Sequence, residues 1–408
     1  MLDLDIDART GSLARAGLRR VLVVLCLTEI TSWGILFYAF PVLAVSISGD
    51  TSWSLPTITA AFSLGQLAAA LTGIPVGRIL DRIGPRTVMT LGSVLGVTSV
   101  LVIAVSPNLP VFFLGWLLAG VAMGATLYPP AFAALTRWWG EGRLKALMIL
   151  TLAAGLASTV FAPLTAALDS RSDWRTTYLV LALVLAMVTI PAHWLGLRGP
   201  WPHPPAPAHD SFADHTVIAR SRGFGMLVIT LCLAAFATSG GVFNLVPLLR
   251  EQGFSPSLAA LALGLGGAGQ VLGRIGYLPF AARTSVLTRT LVILAATAAA
   301  TALLGLVTGV VALIVVSVGA GLVRGVFTLI QATAITDRWG ATHYGRLNGL
   351  LCAPVVIVMA LAPWAGTVLS AWTGSYAHAY LILAAAAVLA VLTGTAAGPS
   401  RSNLEDSL

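Results

Sequence analysis

Long apolar runs, each broken by turn residues or charges, follow one another along the whole chain. A hydrocarbon core about 30 Å thick takes roughly 20 apolar residues in one helix. The runs therefore predict twelve transmembrane helices, at residues 21–46, 56–76, 87–105, 110–134, 146–168, 175–197, 223–249, 256–279, 288–307, 310–335, 345–369 and 376–397. The weakest break is the ninth, where only Thr308 and Gly309 interrupt the pattern. The pattern predicts an all-α polytopic membrane protein.

The composition requires lipid as part of the solvent. Of 408 residues, 57% are hydrophobic and 9% charged, and the mean hydropathy is +0.91. A soluble domain carries about 25% charged residues, so this chain lacks the polar surface that water requires. The first apolar run is too long for a cleaved signal peptide, and we expect it to remain as the first helix.

The basic residues predict the orientation, because cytoplasmic loops carry an excess of Lys and Arg. With the N-terminus inside, eighteen of the 23 Lys and Arg residues fall in cytoplasmic segments, and external loops hold only Arg171, Arg175 and Arg250. The remaining two, Arg274 and Arg324, lie in or at the ends of spans. We therefore expect both termini to face the cytoplasm from the cell inner membrane. The net charge of +8 does not indicate a nucleic-acid partner, because the basic residues stand singly between apolar runs.

Residues 198–222 form the one long polar stretch between spans, and they separate six spans from six. Five prolines in this stretch prevent a packed helix, so we interpret it as a cytoplasmic linker between bundles at 1–197 and 223–408. A metal site at His203, His209 and His215 is the alternative, but their spacing matches no compact ligand set. We expect no metal and no cofactor.

The two halves of the chain repeat each other. Leu25-Cys26-Leu27 and four later positions recur 206 residues further on, and Gly77-Arg78-Ile79 recurs as Gly273-Arg274-Ile275. A third block recurs at a spacing of 201 residues, from Gly120, Gly124, Ala131, Arg137 and Trp138 to Gly321, Gly325, Ala332, Arg338 and Trp339. Three blocks in the same order indicate two six-helix units. Two such units around a midplane site are typical of carriers that work by alternating access.

The segment from Gly77 to Arg86 reads Gly-Arg-Ile-Leu-Asp-Arg-Ile-Gly-Pro-Arg and follows the second predicted helix. It resembles the Gly-x-x-x-Asp-Arg-x-Gly-x-Arg loop signature of the major facilitator superfamily. The resemblance implies a secondary transporter built as two pseudo-symmetric six-helix bundles. It also implies a gating role for Gly77, Asp81, Arg82, Gly84 and Arg86, which make charged contacts in one conformation and lose them in another.

A topogenic basic cluster is the other interpretation of this segment, and neither interpretation excludes the other. We expect the small residues Gly73 and Gly77 to let the second helix approach a neighbour closely.

Charged residues inside spans are informative, because each costs about 2.5–3.5 kcal/mol at the bilayer centre. Glu29 lies nine residues beyond Arg20, roughly 13 Å deep in helix 1. Arg324 in helix 10 also falls near mid-membrane. The repeat pairs Glu29 with Ala235 and Arg324 with Met123, so both charges break the symmetry of the scaffold. Charged residues that occur in only one of the two halves indicate a role in binding a particular ligand.

In the family, helices 1, 4, 7 and 10 line the central cavity, so the resemblance places both charges there. A guanidinium binds a carboxylate through two N–H groups, and a desolvated glutamate can carry a proton. We predict that Arg324 binds a small organic anion and that Glu29 carries or gates the proton. A structural Glu29–Arg324 pair joining two helices is the alternative. Further residues expected to line the site are Trp33, Phe37, Tyr128, Asn244, Thr328 and Gln331, although aromatic residues at helical spacing are more often packing.

Arg274 is a third basic candidate for the substrate site. Gly273-Arg274-Ile275 is similar to the Gly-Arg-Ile of the oxalate/formate and monocarboxylate branch, which implies that Arg274 faces the substrate. The aspartate expected after this arginine is missing from residues 280–283. Helix 11 also lacks the lysine of the dicarboxylate carriers, which argues against oxalate itself.

Two other classes of protein are the alternatives to an organic-anion transporter. A proton-driven drug or metabolite exporter usually has an arginine in helix 4 and a Gly-Pro-x-x-Gly-Gly turn in helix 5; here helix 4 is uncharged and Ala162 precedes Pro163. An intramembrane enzyme is disfavoured, because only His193 lies within a span and we expect no Ser/His pair at shared depth. We predict a monomeric transporter whose partners are a small-molecule substrate, protons and the lipid bilayer.

Overall fold

The structure is a computed structural model, and it describes residues 6–7, 12–13, 15–140, 143–201, 217–339 and 344–397. Twelve helices in these ranges are long and apolar enough to cross a membrane, which confirms the predicted number. They are α1 Arg15–Thr51, α2 Leu55–Ile83, α3 Pro85–Ala104, α4 Leu109–Trp139, α5 Lys145–Asp169, α6 Trp174–Gly196, α7 Arg222–Glu251, α8 Pro256–Ala282, α9 Val286–Leu306, α10 Val310–Thr333, α11 Leu347–Thr373 and α12 Tyr376–Gly394. Before α1, Ile6–Asp7 (β1) pairs antiparallel with Ser12–Leu13 (β2).

Several helices extend beyond their apolar runs, because helical hydrogen bonds continue through polar residues at the membrane surface. The largest correction concerns α2, which was predicted to end at residue 76 and continues to Ile83. Gly77, Asp81 and Arg82 therefore lie on its last two turns and not in a loop. The backbone turns at Gly84, whose φ of +82° is accessible to glycine at little cost.

Three helices are irregular near the middle of their spans. In α1, residues Gly34–Tyr38 form a π-helical segment. In α4, Leu127 is extended, with φ −86° and ψ −162°, directly ahead of Tyr128 and two prolines. Prolines have no N–H to donate, so the backbone hydrogen bonds across this point are lost. In α5, the helix is interrupted at Leu156.

The chain divides into two compact units, residues 1–206 with 255–264 and residues 207–254 with 265–408. Unit 1 contains α1–α6, and unit 2 contains α7, most of α8 and α9–α12. Each unit has its own apolar core: Leu25, Met89 and Leu150 belong to the core of unit 1, and Leu231 and Val326 to that of unit 2. Of the predicted linker, residues 202–216 lie outside the described residues, including its three histidines.

Within each unit, two helices pack backbone against backbone along a glycine seam. In unit 1, a Cβ on Gly120 of α4 would overlap the carbonyl oxygen of Gly65 on α2. In unit 2, a Cβ on Gly321 of α10 would overlap the carbonyl oxygen of Gly266 on α8. Both residues of this second pair follow the first by 201 positions, so the two seams are equivalent.

The prediction that Gly73 and Gly77 provide the close approach was wrong. Apart from the neighbouring backbone of α2 itself, no heavy atom of a described residue lies within 4 Å of the Cβ position of either glycine. The face of α2 that packs closely carries Gly65 instead, two turns earlier than Gly73. Small residues permit close packing only where they face another helix.

We expect Gly321→Ala to lower the free energy of unfolding by about 1–3 kcal/mol, because its methyl group would overlap the backbone of α8. Gly319→Ala is the matched control, since its Cβ meets no atom within 4 Å; it should be neutral or stabilising. Thermal unfolding of the purified variants in detergent measures both effects. Equal stability of the two variants would contradict the tight seam.

Candidate functional site

Glu29 lies on α1 in unit 1 and is 0% exposed. Neither of its carboxylate oxygens accepts a hydrogen bond from a described residue. The hydroxyls of Thr28 and Thr31 beside it bond instead to carbonyl oxygens of the preceding helical turn. Trp33 lies one turn further on the same face, and its indole N–H approaches the carboxyl without reaching hydrogen-bond geometry. A carboxyl buried this way is costly to keep ionised, and such residues in membrane helices are functional candidates.

The π-helical segment of α1 begins one residue after Trp33. At its start, a Cβ on Gly34 would overlap the ring of Phe161 on α5, so α1 and α5 touch directly here. A π segment contains an extra residue per turn and is frequent at functional sites. It shifts the face on which Phe37 lies relative to a regular helix.

Three of the predicted site residues of unit 1 form one aromatic cluster. The ring of Trp33 lies 4.8 Å from that of Phe37 and 5.1 Å from that of Tyr128, centroid to centroid. Tyr128 follows the break in α4 and stacks on Phe132 at 5.0 Å. The structure therefore brings Trp33, Phe37 and Tyr128 together beside Glu29, with rings that also pack against one another.

Arg324 lies on α10 in unit 2 and is partly buried. Its Nη2 donates to Oε1 of Gln270 on α8 over 2.9 Å. Gln270 is 8% exposed, and Arg274, one turn further along α8, is 6% exposed. The structure thus places the two predicted arginines on two helices that pack closely, and it bonds one of them to Gln270, which was not selected from the sequence.

The other predicted residues of unit 2 lie within the helix packing, and two of them form hydrogen bonds. Thr328 donates its hydroxyl to the carbonyl oxygen of Arg324, and Gln331 is partly buried on α10. Asn244 is fully buried on α7, where its amide N–H₂ donates to Gly240 over 2.8 Å. A Cβ on Gly366 of α11 would overlap this amide. Asn244 is therefore fixed between α7 and α11 by its packing.

The glycine seams align α8 with α2 differently from the Gly-Arg-Ile triplets of the sequence repeat. Gly325 of α10 packs on the carbonyl of Gln270, and its counterpart Gly124 packs on the carbonyl of Ala69. In this register Arg274 matches Gly73, so it does not match Arg78 as the recurring Gly-Arg-Ile triplet suggested. The polar trio of Gln270, Arg274 and Arg324 replaces Ala69, Gly73 and Met123 of unit 1.

A charged network connects the C-terminal ends of α2 and α4, at the segment predicted to act as a gate. Nη2 of Arg137 lies 2.5 Å from Oδ1 of Asp81. Trp201 donates its indole N–H to the carbonyl oxygen of Asp81 over 3.1 Å, and the guanidinium of Arg137 lies 4.6 Å from the centroid of its ring. The ring of Trp201 also covers Gly84, 3.2 Å from its Cβ position. Neither Arg137 nor Trp201 was selected from the sequence for this role.

The remaining gating residues lie around this network. Arg86 donates to the carbonyl oxygen of Trp194 over 2.9 Å, and its guanidinium stacks on the ring of the same residue. Arg82 is exposed and forms no ion pair with a described residue. In unit 2, Arg289 near the start of α9 forms an ion pair with Asp337, which follows the end of α10.

A buried Ser/His pair corrects the expectation that there is none at shared depth. Nδ1 of His193 on α6 lies 2.8 Å from Oγ of Ser93 on α3. Ser93 also donates to the carbonyl oxygen of Met89, so both side chains are held inside the helix packing. No local pattern indicates this pair, since the two residues are 100 positions apart. Groups of three or more His, Cys, Asp or Glu that could hold a metal are absent from the described residues.

The family model of the Major Facilitator Superfamily matches residues 25–323 of the chain. Among curated relatives, monocarboxylate transporter 13 of Rattus norvegicus is 24% identical over 371 residues, which cover 87% of this chain and 81% of that protein. The uncharacterized MFS-type transporter YcxA of Bacillus subtilis (strain 168) is 27% identical over 199 residues. That match spans about half of either protein, 48% of each.

Solved structures show the same fold at low identity. A bacterial homolog of the human lysosomal transporter Spinster, in an inward-facing and unoccupied conformation, matches with a TM-score of 0.72 and 17% identity, over 94% of this chain and 96% of that one. The nucleoside transporter NupG matches with a TM-score of 0.76 and 14% identity, over 93% and 99%. These likenesses confirm the predicted twelve-helix fold, and the relatives named here are transporters rather than enzymes.

Proposed function

The chain belongs to the Major Facilitator Superfamily, and from that premise we propose that it is a secondary active transporter of a small organic anion, coupled to protons. The observation that carries the proposal is a pair of ionisable sites on mid-span helix faces. Unit 1 holds the buried carboxyl of Glu29, and unit 2 holds Arg324 beside Gln270. Both sites break the symmetry between two otherwise equivalent units.

The anion is assigned to unit 2 because its polar trio contains two guanidinium groups. Arg324 and Arg274 lie on helices whose backbones touch, since Gly273 packs on Leu322 and Gly325 on Gln270. Guanidinium groups bind carboxylates through paired N–H donors and remain charged at any working pH. The curated relatives that are named monocarboxylate transporters agree with this class of substrate.

The proton is assigned to Glu29. A fully buried carboxyl that accepts no hydrogen bond from a described residue has little to stabilise it as an anion. It is stable there when neutral, and it can ionise when water or a cation reaches it. Proton carriers in transporters are intramembrane carboxyls of this kind.

The gate is assigned to the network of Asp81, Arg137 and Trp201, which ties α2 and α4 to the first residues of the linker. The side chain of Asp81 is 52% exposed, and such ion pairs contribute about 0–1 kcal/mol. A contact this weak can be made and broken in every transport cycle. We place both termini and the linker at 198–222 on the cytoplasmic side of the inner membrane, and we propose a monomer with bundles at 1–197 and 223–408.

We expect Asp81→Asn to reduce turnover by up to about fivefold while the Kd for substrate stays unchanged, because the ion pair with Arg137 is lost outside the binding site. Arg78→Gln is the control, since it removes an exposed charge from the same helix end. Flux in proteoliposomes and ligand binding in detergent separate the two parameters. An unaltered rate in both directions would remove Asp81 from the gate.

The substrate class is tested by thermal unfolding of the purified protein against carboxylates, cationic drugs and metal ions, followed by flux assays with the compounds that stabilise it. Stabilisation by carboxylates supports the proposal. Stabilisation by cationic or neutral drugs alone would favour a proton-driven exporter instead.

A further inference from the structure

We infer that Gln270 is a positioning and specificity-determining residue, which holds the guanidinium of Arg324 in place without reducing its charge. This inference rests on the proposed anion site in unit 2. It assigns to Gln270 the selection of anionic over uncharged or cationic substrates.

The geometry fixes both partners. Arginine can only donate hydrogen bonds, so the atom of Gln270 that faces Nη2 of Arg324 at 2.9 Å must be its carbonyl oxygen. The backbones behind these side chains touch, because a Cβ on Gly325 would overlap the carbonyl oxygen of Gln270. The two side chains therefore leave the seam side by side, and the 8% exposure of Gln270 leaves little room for other rotamers.

The chemistry of the amide explains why a glutamine suits this position. A carboxylate here would hold the guanidinium equally well, and its negative charge would then compete with the substrate's own carboxylate. A neutral amide oxygen orients the planar group without neutralising its positive charge. Arg274, one turn along the same face of α8, adds a second positive group.

Comparison with unit 1 shows that the seam does not need this bond. The positions of Gln270 and Arg324 are occupied there by Ala69 and Met123, and Gly120 and Gly124 of α4 still approach the carbonyl oxygens of Gly65 and Ala69 on α2. Unit 1 has a side-chain hydrogen bond at this position too, from Nε2 of Gln66 on α2 to Sδ of Met123 over 3.4 Å, but a thioether is a weak acceptor and neither group is charged. The polar pair is an addition to a seam that closes without it.

The test compares Gln270→Glu with Gln270→Ala in the full-length purified protein, with pyruvate and succinate as probes. Gln270→Glu retains an acceptor for Arg324 and adds a negative charge, and Gln270→Ala loses the acceptor but keeps the site positive. If Gln270 sets specificity, Gln270→Glu should weaken anion binding at least about tenfold and Gln270→Ala by less. If the residue only supported packing, Gln270→Ala would be the more damaging change.

Two further variants control the experiment. Gln252→Glu makes the same chemical change at the end of α7 and should bind the probes like the wild type. The double variant Gln270→Ala/Arg324→Met recreates the pair found in unit 1, so it should unfold at a temperature near that of the wild type and yet lose anion binding.

The outcomes separate the inference from the function on which it rests. A wild-type protein that binds and transports neither probe nor any other carboxylate contradicts the proposed function and this inference together. Suppose instead that the wild type binds a carboxylate and that Gln270→Glu binds it at least as tightly as Gln270→Ala does. That result overturns the inference and leaves the proposed anion carrier in place.

Discussion

Arg324→Lys should remove most anion uptake, with kcat/KM about ten- to a hundredfold lower than in the wild type. The guanidinium of Arg324 is a planar fork, and one of its nitrogens is already engaged by Gln270. A lysine ammonium retains the charge but not the planar array that holds an amide oxygen and a carboxylate together. Loss of a hydrogen bond to a charged group costs about 1.5–3 kcal/mol, which corresponds to the stated range.

The control for this prediction is Arg250→Lys at the end of α7. Arg250 donates to the carbonyl oxygen of Phe254 within its own turn, so the same chemical change there should leave uptake near the wild-type rate. Initial rates in proteoliposomes, normalised to the amount of inserted protein, measure both variants. Uptake by Arg324→Lys at the rate of Arg250→Lys would contradict the anion site.

Glu29→Gln should abolish accumulation driven by a pH gradient and preserve exchange of labelled for unlabelled substrate. A glutamine has nearly the same shape but cannot take up or release a proton. Symport of one proton with one anion can support up to about tenfold accumulation per unit of pH. The variant should bring the substrate only to equal concentrations on both sides. Because the carboxyl makes no hydrogen bond to a described residue, the amide should also fit without loss of stability.

Glu251→Gln is the matched control for the proton prediction, since this carboxylate lies at the C-terminal end of α7 and accepts from Ser375 and Tyr376. It should retain the pH dependence of the wild type. A Glu29→Gln protein that still accumulates substrate along a pH gradient would exclude Glu29 as the proton carrier.

The number of spans could be predicted from the sequence because each span needs about 20 apolar residues and carries that signal in its own composition. The breaks between α9 and α10 and between α8 and α9 were found in this way. Helix ends were less predictable, since Gly77 to Ile83 are polar enough to resemble a loop and are nevertheless hydrogen-bonded as a helix.

Contacts between distant segments were predictable only where a charge marked them. Glu29, Arg274 and Arg324 stand out in apolar runs because charge in a membrane is costly. Gln270 carries no charge and was missed, although its spacing of four residues from Arg274 on one helix face was a usable signal. The roles of Arg137 and Trp201 depend on the way the chain brings α4 and the linker to the end of α2, which no local pattern encodes.

Helix irregularities were predictable in part. Pro129 and Pro130 indicate the break in α4, because two consecutive residues without N–H groups cannot continue the hydrogen bonds of the helix. The π segment at Gly34–Tyr38 has no such marker. It begins where Gly34 packs against Phe161 of α5, a contact between segments that the local sequence does not encode.

The claim that this protein is a proton-coupled anion carrier is tested most directly by flux in sealed proteoliposomes with an imposed pH gradient. A labelled carboxylate that stabilises the purified protein should accumulate on the alkaline side, collapse to equal concentrations when a protonophore is added, and be recovered chemically unchanged. Protein-free liposomes of the same lipid correct for passive entry of the neutral acid. Flux that is no faster than in these liposomes, or that ignores both the gradient and the protonophore, would contradict the account.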